Sequence, residues 1–235
     1  MSSPLRVIRE DGDILAVDKP AGQAVIPGRG LSKEPLCLQA QRHTGGKIFI
    51  AHRIDREASG LVIFAKNPQI HRRLCQDFES RRARKTYWVA LQGSPAQEGS
   101  IDKPLRLFGS GRMGVADSKG QPSLTRYKTI ERFPNAALVE ARPLTGRRHQ
   151  LRVHFFSLGT PILGDPLYGR PPRPVGGFPR LMLHALELRI PEADHGAPLV
   201  LRAEPDEEFL RLFALLRAED PKLTRCAMTE GGSAA

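Results

Sequence analysis

The chain has 235 residues, 40% of them hydrophobic, which is enough for one sizeable core. Its 36 Lys and Arg outweigh 25 Asp and Glu, and the resulting formal charge of +11 points to a polyanionic partner, nucleic acid first. With no long apolar span, no signal peptide and no basic amphipathic helix with an aromatic face, a membrane partner is not expected and a cytoplasmic location is.

In chain order, LRVIRE and DILAVDKP are short apolar runs separated by Asp11 and Gly12, a hairpin signal. Pro20 to Gly30 is rich in turn residues, and a short helix is expected over Leu36 to Arg42. The stretch from Ala51 to Lys66, AHRIDREASGLVIFAK, sets one acid, Asp55, among basic side chains and turns apolar after Ser59 and Gly60. It reads as a polar loop entering a buried strand. A carboxylate at the mouth of such a strand is rigidly held and open to a substrate, which makes Asp55 a candidate for chemistry. A surface salt-bridge cluster on a strand-entry loop has the same charge pattern.

Asn67 and Pro68 give an N-cap and first-turn signal, with Ile70, Leu74 and Phe78 at spacing four along a helix ending near Arg82. His71, Arg72 and Arg73, followed by Arg81, Arg82, Arg84 and Lys85, suit either a phosphate backbone or a solvated helix face. KTYWVALQG alternates as a strand, bringing Tyr87 either to a cleft or into the core with its hydroxyl satisfied. Glu98 to Gly120 is expected to be loop-like, either a mobile flap or disordered. SLTRYKTIERF and AALVEAR, joined at Pro134 and Asn135, read as a hairpin.

RPLTGRRHQLRVHFFSLG carries Arg142, Arg147, Arg148 and Arg152 within a stretch that contains no acid. Thr145 is a candidate N-cap, and on a helix following Gly146 residues Arg148 and Arg152 would share a face at i, i+4. A helix start with this much guanidinium suits phosphate. An arginine buried toward a cleft needs a carboxylate instead, and one of the two is placed to meet Asp55. GDPLYG reads as a tight loop and RPPRPVGGFP as an irregular connection, and neither shows chemistry alone. RLMLHALEL and PLVLRA are strand candidates, and DEEFLRLFALLRA, from Asp206, is a closing amphipathic helix.

Together these elements make one α+β domain over residues 1–219, with a flexible tail over 220–235. Cys37, Cys75 and Cys226 are odd in number and widely spaced, indicating free thiols rather than a disulfide framework or zinc site. No phosphate-binding glycine loop, dinucleotide fingerprint or zinc-protease signature is present, so no metal, nucleotide or other cofactor is expected.

AHRIDREASGLVIFAK, KTYWVAL, RPLTGRRHQLRVH and GDPLYG, in that order and preceded by DILAVDKPAG, resemble the motif series of the RluA family of RNA pseudouridine synthases, from about Leu5 to Ala203. The resemblance implies that family's fold: a mostly antiparallel mixed sheet flanked by helices, with a central catalytic cleft. It also implies isomerisation of uridine in structured RNA, in which the bond from ribose C1′ to ring N1 breaks and C5 is joined instead. Asp55 matches the family's catalytic aspartate, Tyr87 the cleft tyrosine, Arg152 the basic residue paired with the aspartate, and Arg53 the residue that replaces the flipped base. Ile54 and Ala58 stand where Leu and Thr are common, and neither removes a group the chemistry requires. Arg72, Arg147, Arg148 and His149 are the further residues expected to bind RNA.

About four residues precede the first strand, so the extra N-terminal RNA-binding domain of many relatives is not expected, and the protein is expected to act as a monomer. The target expected of such a short form is a transfer RNA anticodon stem-loop, a ribosomal RNA hairpin, or both. The rivals are an RNA-binding or folding factor that keeps the scaffold without catalysis, and a glycosylase that would release free uracil.

Overall fold

A computed structural model of the chain describes residues 4–28, 30–168, 178, 180–191 and 197–218. In chain order they form β1 (Arg6–Glu10), β2 (Ile14–Lys19), α1 (Leu36–Thr44), β3 (Phe49–Ile50), β4 (Ser59–Ala65), α2 (Pro68–Glu79), β5 (Arg84–Gln92) and β6 (Glu98–Asp102). There follow β7 (Leu105–Leu107), β8 (Met113–Val115), β9 (Leu124–Phe133), β10 (Ala136–Pro143), α3 (Gln150–Ser157), β11 (Leu183–Ile190), β12 (Leu199–Arg202) and α4 (Glu207–Ala218).

Ten strands make one sheet in the order β1, β2, β4, β11, β5, β10, β9, β6, with β3 beside β4 and β12 beside β11, while β7 and β8 form a separate hairpin. The β4–β11 contact is parallel, and the other pairings of the large sheet are antiparallel. The architecture is the α+β, mostly antiparallel mixed sheet that the sequence implies.

β4 is buried along its whole length because both of its faces are covered. Leu61, Ile63 and Ala65 share a core with Ile70, Leu74 and Phe78 of α2. The alternate residues Val62 and Phe64 pack with Leu36, Cys37 and Ala40 of α1 on the opposite face. At Gly60, φ is +108° and a Cβ would lie 2.3 Å from the Ala185 carbonyl oxygen, so only glycine lets β4 approach β11 here.

α2 begins as expected, the Asn67 side chain accepting from the Ile70 N–H at 2.9 Å with Pro68 in the first turn. It ends at Glu79 rather than near Arg82, because Arg81 takes a left-handed φ of 62°.

Two expectations are corrected. Glu98 to Gly120 is not merely loop: β6 closes the edge of the sheet against β9, and β7 pairs with β8. These pieces are three to five residues long, and their pairing partners rather than their own hydrophobic pattern decide their state. Thr145 does not cap α3, which starts only at Gln150 behind His149 at φ 52°. Instead the Thr145 hydroxyl accepts from the Leu124 N–H at 3.0 Å and donates to the Gln150 side chain at 2.7 Å, bracing the turn against β9. Arg148 therefore precedes the helix and shares no helical face with Arg152.

α4 packs Phe209, Leu212, Phe213 and Leu216 over Ala90, Leu138 and Met182. No helix among the described residues is long and apolar enough to cross a membrane. The tail at 220–235, Cys226 and most of the proline-rich run lie outside the described residues.

Candidate active site

A cleft of about 500 Å3 opens between the loop before β4, the start of β5 and the turn before α3. Ile54, Ala58, Leu151 and Leu183 give it apolar walls, and Arg53, Arg81, Lys85 and Arg147 bring four cations to it. A larger cavity of about 820 Å3 beside α4 holds none of the motif residues, so size does not locate the chemistry here.

The loop carrying Asp55 is pinned at both ends. Before it, His52 stacks on Phe78 with ring centroids 4.6 Å apart, and its Nε2 accepts the Ile63 N–H at 3.0 Å. Burial, assisted by the charge of Lys85, pulls His52 down to about 3, so the ring stays neutral and keeps that lone pair for the backbone. After Asp55, the buried Lys19 ammonium donates to the carbonyls of Pro20, Gln23, Arg56 and Ala58 at 2.9, 2.8, 3.1 and 2.5 Å. Burial pulls Lys19 down to about 7 against the opposing charges of Asp55 and Glu57. The DKPAG segment, which the sequence offers only as an entry strand and turn, thus ties β2 to the Asp55 loop. The Gly22 N–H adds a bond to the Arg56 carbonyl at 2.8 Å.

Arg152, from α3, is completely buried. Its fork meets Asp165 through two bonds, Nε to Oδ2 at 2.8 Å and Nη2 to Oδ1 at 2.7 Å, between side chains with no exposure. Nη1 is left for Glu57 Oε2 at 3.3 Å and Asp55 Oδ2 at 3.6 Å. The pairing of Arg152 with Asp55 is therefore real but secondary, and the carboxylate that holds the guanidinium is Asp165. A planar fork bound bidentately cannot turn, so Arg152 lends Asp55 its charge without locking the carboxylate in a short hydrogen bond. Asp55 keeps 21% of its side chain exposed to the cleft.

Asp165 is in turn held by its own loop, its Oδ1 accepting the N–H groups of Leu167 at 2.8 Å and Tyr168 at 3.1 Å. The Tyr168 ring lies 5.2 Å from the Arg152 guanidinium carbon. Its hydroxyl accepts the Met113 N–H at 3.1 Å and meets His149 Nδ1 at 3.0 Å. The described part of this motif, residues 164–168, is thus part of the site. The signal was available: a buried arginine needs a carboxylate, and Asp165 is an acid in a tight loop following the acid-free arginine stretch.

Tyr87 joins the two alternatives left open by its strand. It lines the cleft and also packs against two adjoining core clusters on its own face of the sheet, one containing Val89 and Leu151 and the other Val62 and Ala185. Burial, and then the charge of Asp55, push its hydroxyl well above the usual phenol value. Arg53, Arg147 and His149 also line the cleft. Burial lowers the pKa of His149, with Asp55 opposing and Arg152 and Arg148 assisting. Arg72 lies exposed on α2 and Arg148 exposed on the turn, neither of them lining the cleft. Glu57 and Asp165 are site residues that sequence reasoning missed, whereas Arg81 and Lys85, offered by the sequence only as part of a basic run suited to phosphate or to solvent, line the cleft. Among the described residues no cluster of three or more His, Cys, Asp or Glu is arranged to hold a metal ion.

The family described as RNA pseudouridylate synthase matches residues 13–157. An uncharacterized RNA pseudouridine synthase of Zymomonas mobilis is 41% identical over 196 residues, 79% of this chain and 87% of that protein. The dual-specificity RNA pseudouridine synthase RluA of Vibrio cholerae is 38% identical over 185 residues, covering 77% of this chain and 75% of its own length. Among solved structures, human RNA pseudouridylate synthase domain containing 4 superposes with a TM-score of 0.75 at 26% identity, covering 90% of this chain and 93% of that one.

Proposed function

The chain belongs to the RNA pseudouridylate synthase family, and from that premise we propose that Asp55, Arg152 and Tyr87 carry out its isomerisation of uridine in an anticodon stem-loop of transfer RNA, a ribosomal RNA hairpin, or both. One observation carries this reading: Asp55 stands at the cleft 3.6 Å from a fully buried guanidinium that another carboxylate holds in place.

The reaction moves one bond. C1′–N1 breaks, the uracil turns, C1′–C5 forms, N1 gains a proton and C5 loses one, so atoms balance without an outside reagent. Asp55 supplies the anionic oxygen that this exchange needs. Arg152 sets a fixed positive charge beside that oxygen as RNA closes the cleft and water leaves, offsetting the cost of enclosing an unpaired carboxylate.

Tyr87 offers its ring to the extracted uracil. With its hydroxyl pushed upward by burial and by Asp55, it serves as a stacking platform better than as a base for the C5 proton. A uridine inside a stacked RNA presents no reacting atom to Asp55, so the nucleotide is turned out at a cost of a few kcal/mol. Arg53, exposed at the cleft, is placed to fill the space it leaves. Loops and weakly paired stems lower that cost, and this favours hairpin targets. The dual-specificity name of the Vibrio cholerae relative supports more than one RNA target.

Incubating the protein with an anticodon stem-loop and with a ribosomal hairpin, followed by nucleoside analysis, tests the proposal. Pseudouridine in at least one is expected. Free uracil would indicate a glycosylase instead, and binding without any product would indicate a folding factor.

A further inference from the structure

Lys85 is the second residue of β5, two before Tyr87, so strand alternation turns both side chains to one face, and both line the cleft. Several other buried or half-buried cations have polar partners, Lys19 meeting four carbonyls, Lys66 Glu10, and Arg180 Asp206 and Glu208, while Arg106, whose Nε has no partner among the described residues, lies over the Phe108 ring at 4.3 Å. Lys85 differs. Among the described residues it takes part in no ion pair and donates no side-chain hydrogen bond, and burial lowers its pKa with no carboxylate acting to raise it. Across from it is Gly146, where a Cβ would lie 3.3 Å from the Lys85 Nζ. The ammonium thus projects into the gap between β5 and the turn that carries Arg147, and a side chain at position 146 would crowd it.

An ammonium half removed from water and left without an acceptor is costly unless something brings it one. Two residues along a strand span about 6.8 Å, comparable to the separation between a pyrimidine ring and the phosphate of its own nucleotide. We propose that Lys85 is a substrate-contacting residue that binds the phosphate of the nucleotide drawn into the cleft, one pleat away from the Tyr87 ring on which its base rests. The inference rests on the Asp55 and Tyr87 reading of the cleft. It gives β5 two tasks in one register: a platform for the base and an anchor for the backbone.

The test is a cycle between protein and RNA. The probes are a hairpin RNA with a uridine-rich loop and the same hairpin with neutral methylphosphonate linkages at the loop uridines. The proteins are the full chain and its Lys85→Met and Lys85→Arg variants, matched for thermal unfolding. Removing one charged contact is expected to weaken binding of the ordinary hairpin by roughly tenfold in Lys85→Met. The slope of log affinity against log salt should shrink by about 0.7 to 0.9, while Lys85→Arg stays close to wild type. The methylphosphonate hairpin should bind wild type and Lys85→Met alike. In turnover, Lys85→Met should raise KM while leaving kcat within a fewfold of wild type.

The binding arm is repeated in an Asp55→Ala background, so that Lys85 is decided whether or not product forms. Loss of product in every protein with the binding cycle intact would count against the catalytic reading alone. Equal affinity of wild type and Lys85→Met for the ordinary hairpin would overturn the proposal. An equal loss on both hairpins would do the same.

Discussion

Replacing Asp165 by Asn probes the clamp on which the cleft depends. The substitution keeps size and one carbonyl oxygen, so the N–H groups of Leu167 and Tyr168 retain an acceptor. It removes the charge and turns an amide N–H toward the guanidinium. Between side chains with no exposure, the 2.8 Å bond from Arg152 Nε to Oδ2 is lost and the 2.7 Å bond from Nη2 to Oδ1 loses its charged acceptor. Leaving one member of such a buried pair unmatched costs about 3 to 5 kcal/mol. For a domain of this size each kcal/mol lowers Tm by about 2 to 4 °C, so a fall of roughly 6 to 20 °C is expected.

The freed guanidinium would rotate toward Glu57 and Asp55, which already share its Nη1. A displacement of about an ångström at a reacting group costs up to about a hundredfold in rate. Pseudouridine formation measured well below the lowered Tm should therefore fall by at least roughly tenfold. Circular dichroism melts and release of tritium from RNA labelled at uridine C5 read the two effects separately. A Tm within about 2 °C of wild type together with unchanged turnover would refute the clamp.

Three further outcomes follow from single features. Burial pulls His52 down to about 3 from the ordinary histidine value of about 6.5, so between those values the unfolded chain takes up a proton that the folded chain refuses. Stability is therefore lost as pH falls from about 6.5 toward 3, and His52→Gln, whose carbonyl can still accept the Ile63 N–H, should show a shallower loss in melts across that range; identical slopes would contradict this. Gly60→Ala puts a Cβ 2.3 Å from the Ala185 carbonyl oxygen and should cost at least about 4 kcal/mol or abolish folding, as read by soluble yield and urea unfolding. Arg147→Ala should weaken binding to a hairpin RNA and reduce its salt slope by about 0.7 to 0.9 without moving Tm by more than about 2 °C.

What the sequence could reveal depended on how local the cause was. β4 was readable because a strand covered on both faces is a continuous apolar run, and α2 because Asn67, Pro68 and the spacing of Ile70, Leu74 and Phe78 are all contained within it. The β9–β10 hairpin was equally local, joined at Pro134 and Asn135. β6 to β8 were missed because short segments take their state from distant partners, and the Asp102↔Leu124 register of β6 is visible only once β9 is in place.

The same division runs through the site. Asp55 stands out by charge pattern, which leaves Arg148 and Arg152 as alternative partners; the resemblance selects Arg152, and that contact exists. The primacy of Asp165 over Asp55 in holding Arg152 is a matter of which carboxylate is desolvated with it, and no spacing encodes that. Lys19 was passed over for the same reason: four carbonyls from two loops converge on it only in three dimensions. Arg148 misled, because the helix that would have set it on the face of Arg152 begins two residues after it.

The central claim is that Asp55 converts uridine in RNA, and mapping pseudouridine in total RNA from cells lacking the endogenous activity tests it most directly. The RNA is treated in parallel with wild type and Asp55→Ala. Defined sites made by the wild type and absent with Asp55→Ala, which still binds the RNA, are the predicted result. Sites made equally well by Asp55→Ala, or RNA bound by both proteins and modified by neither, would contradict the account.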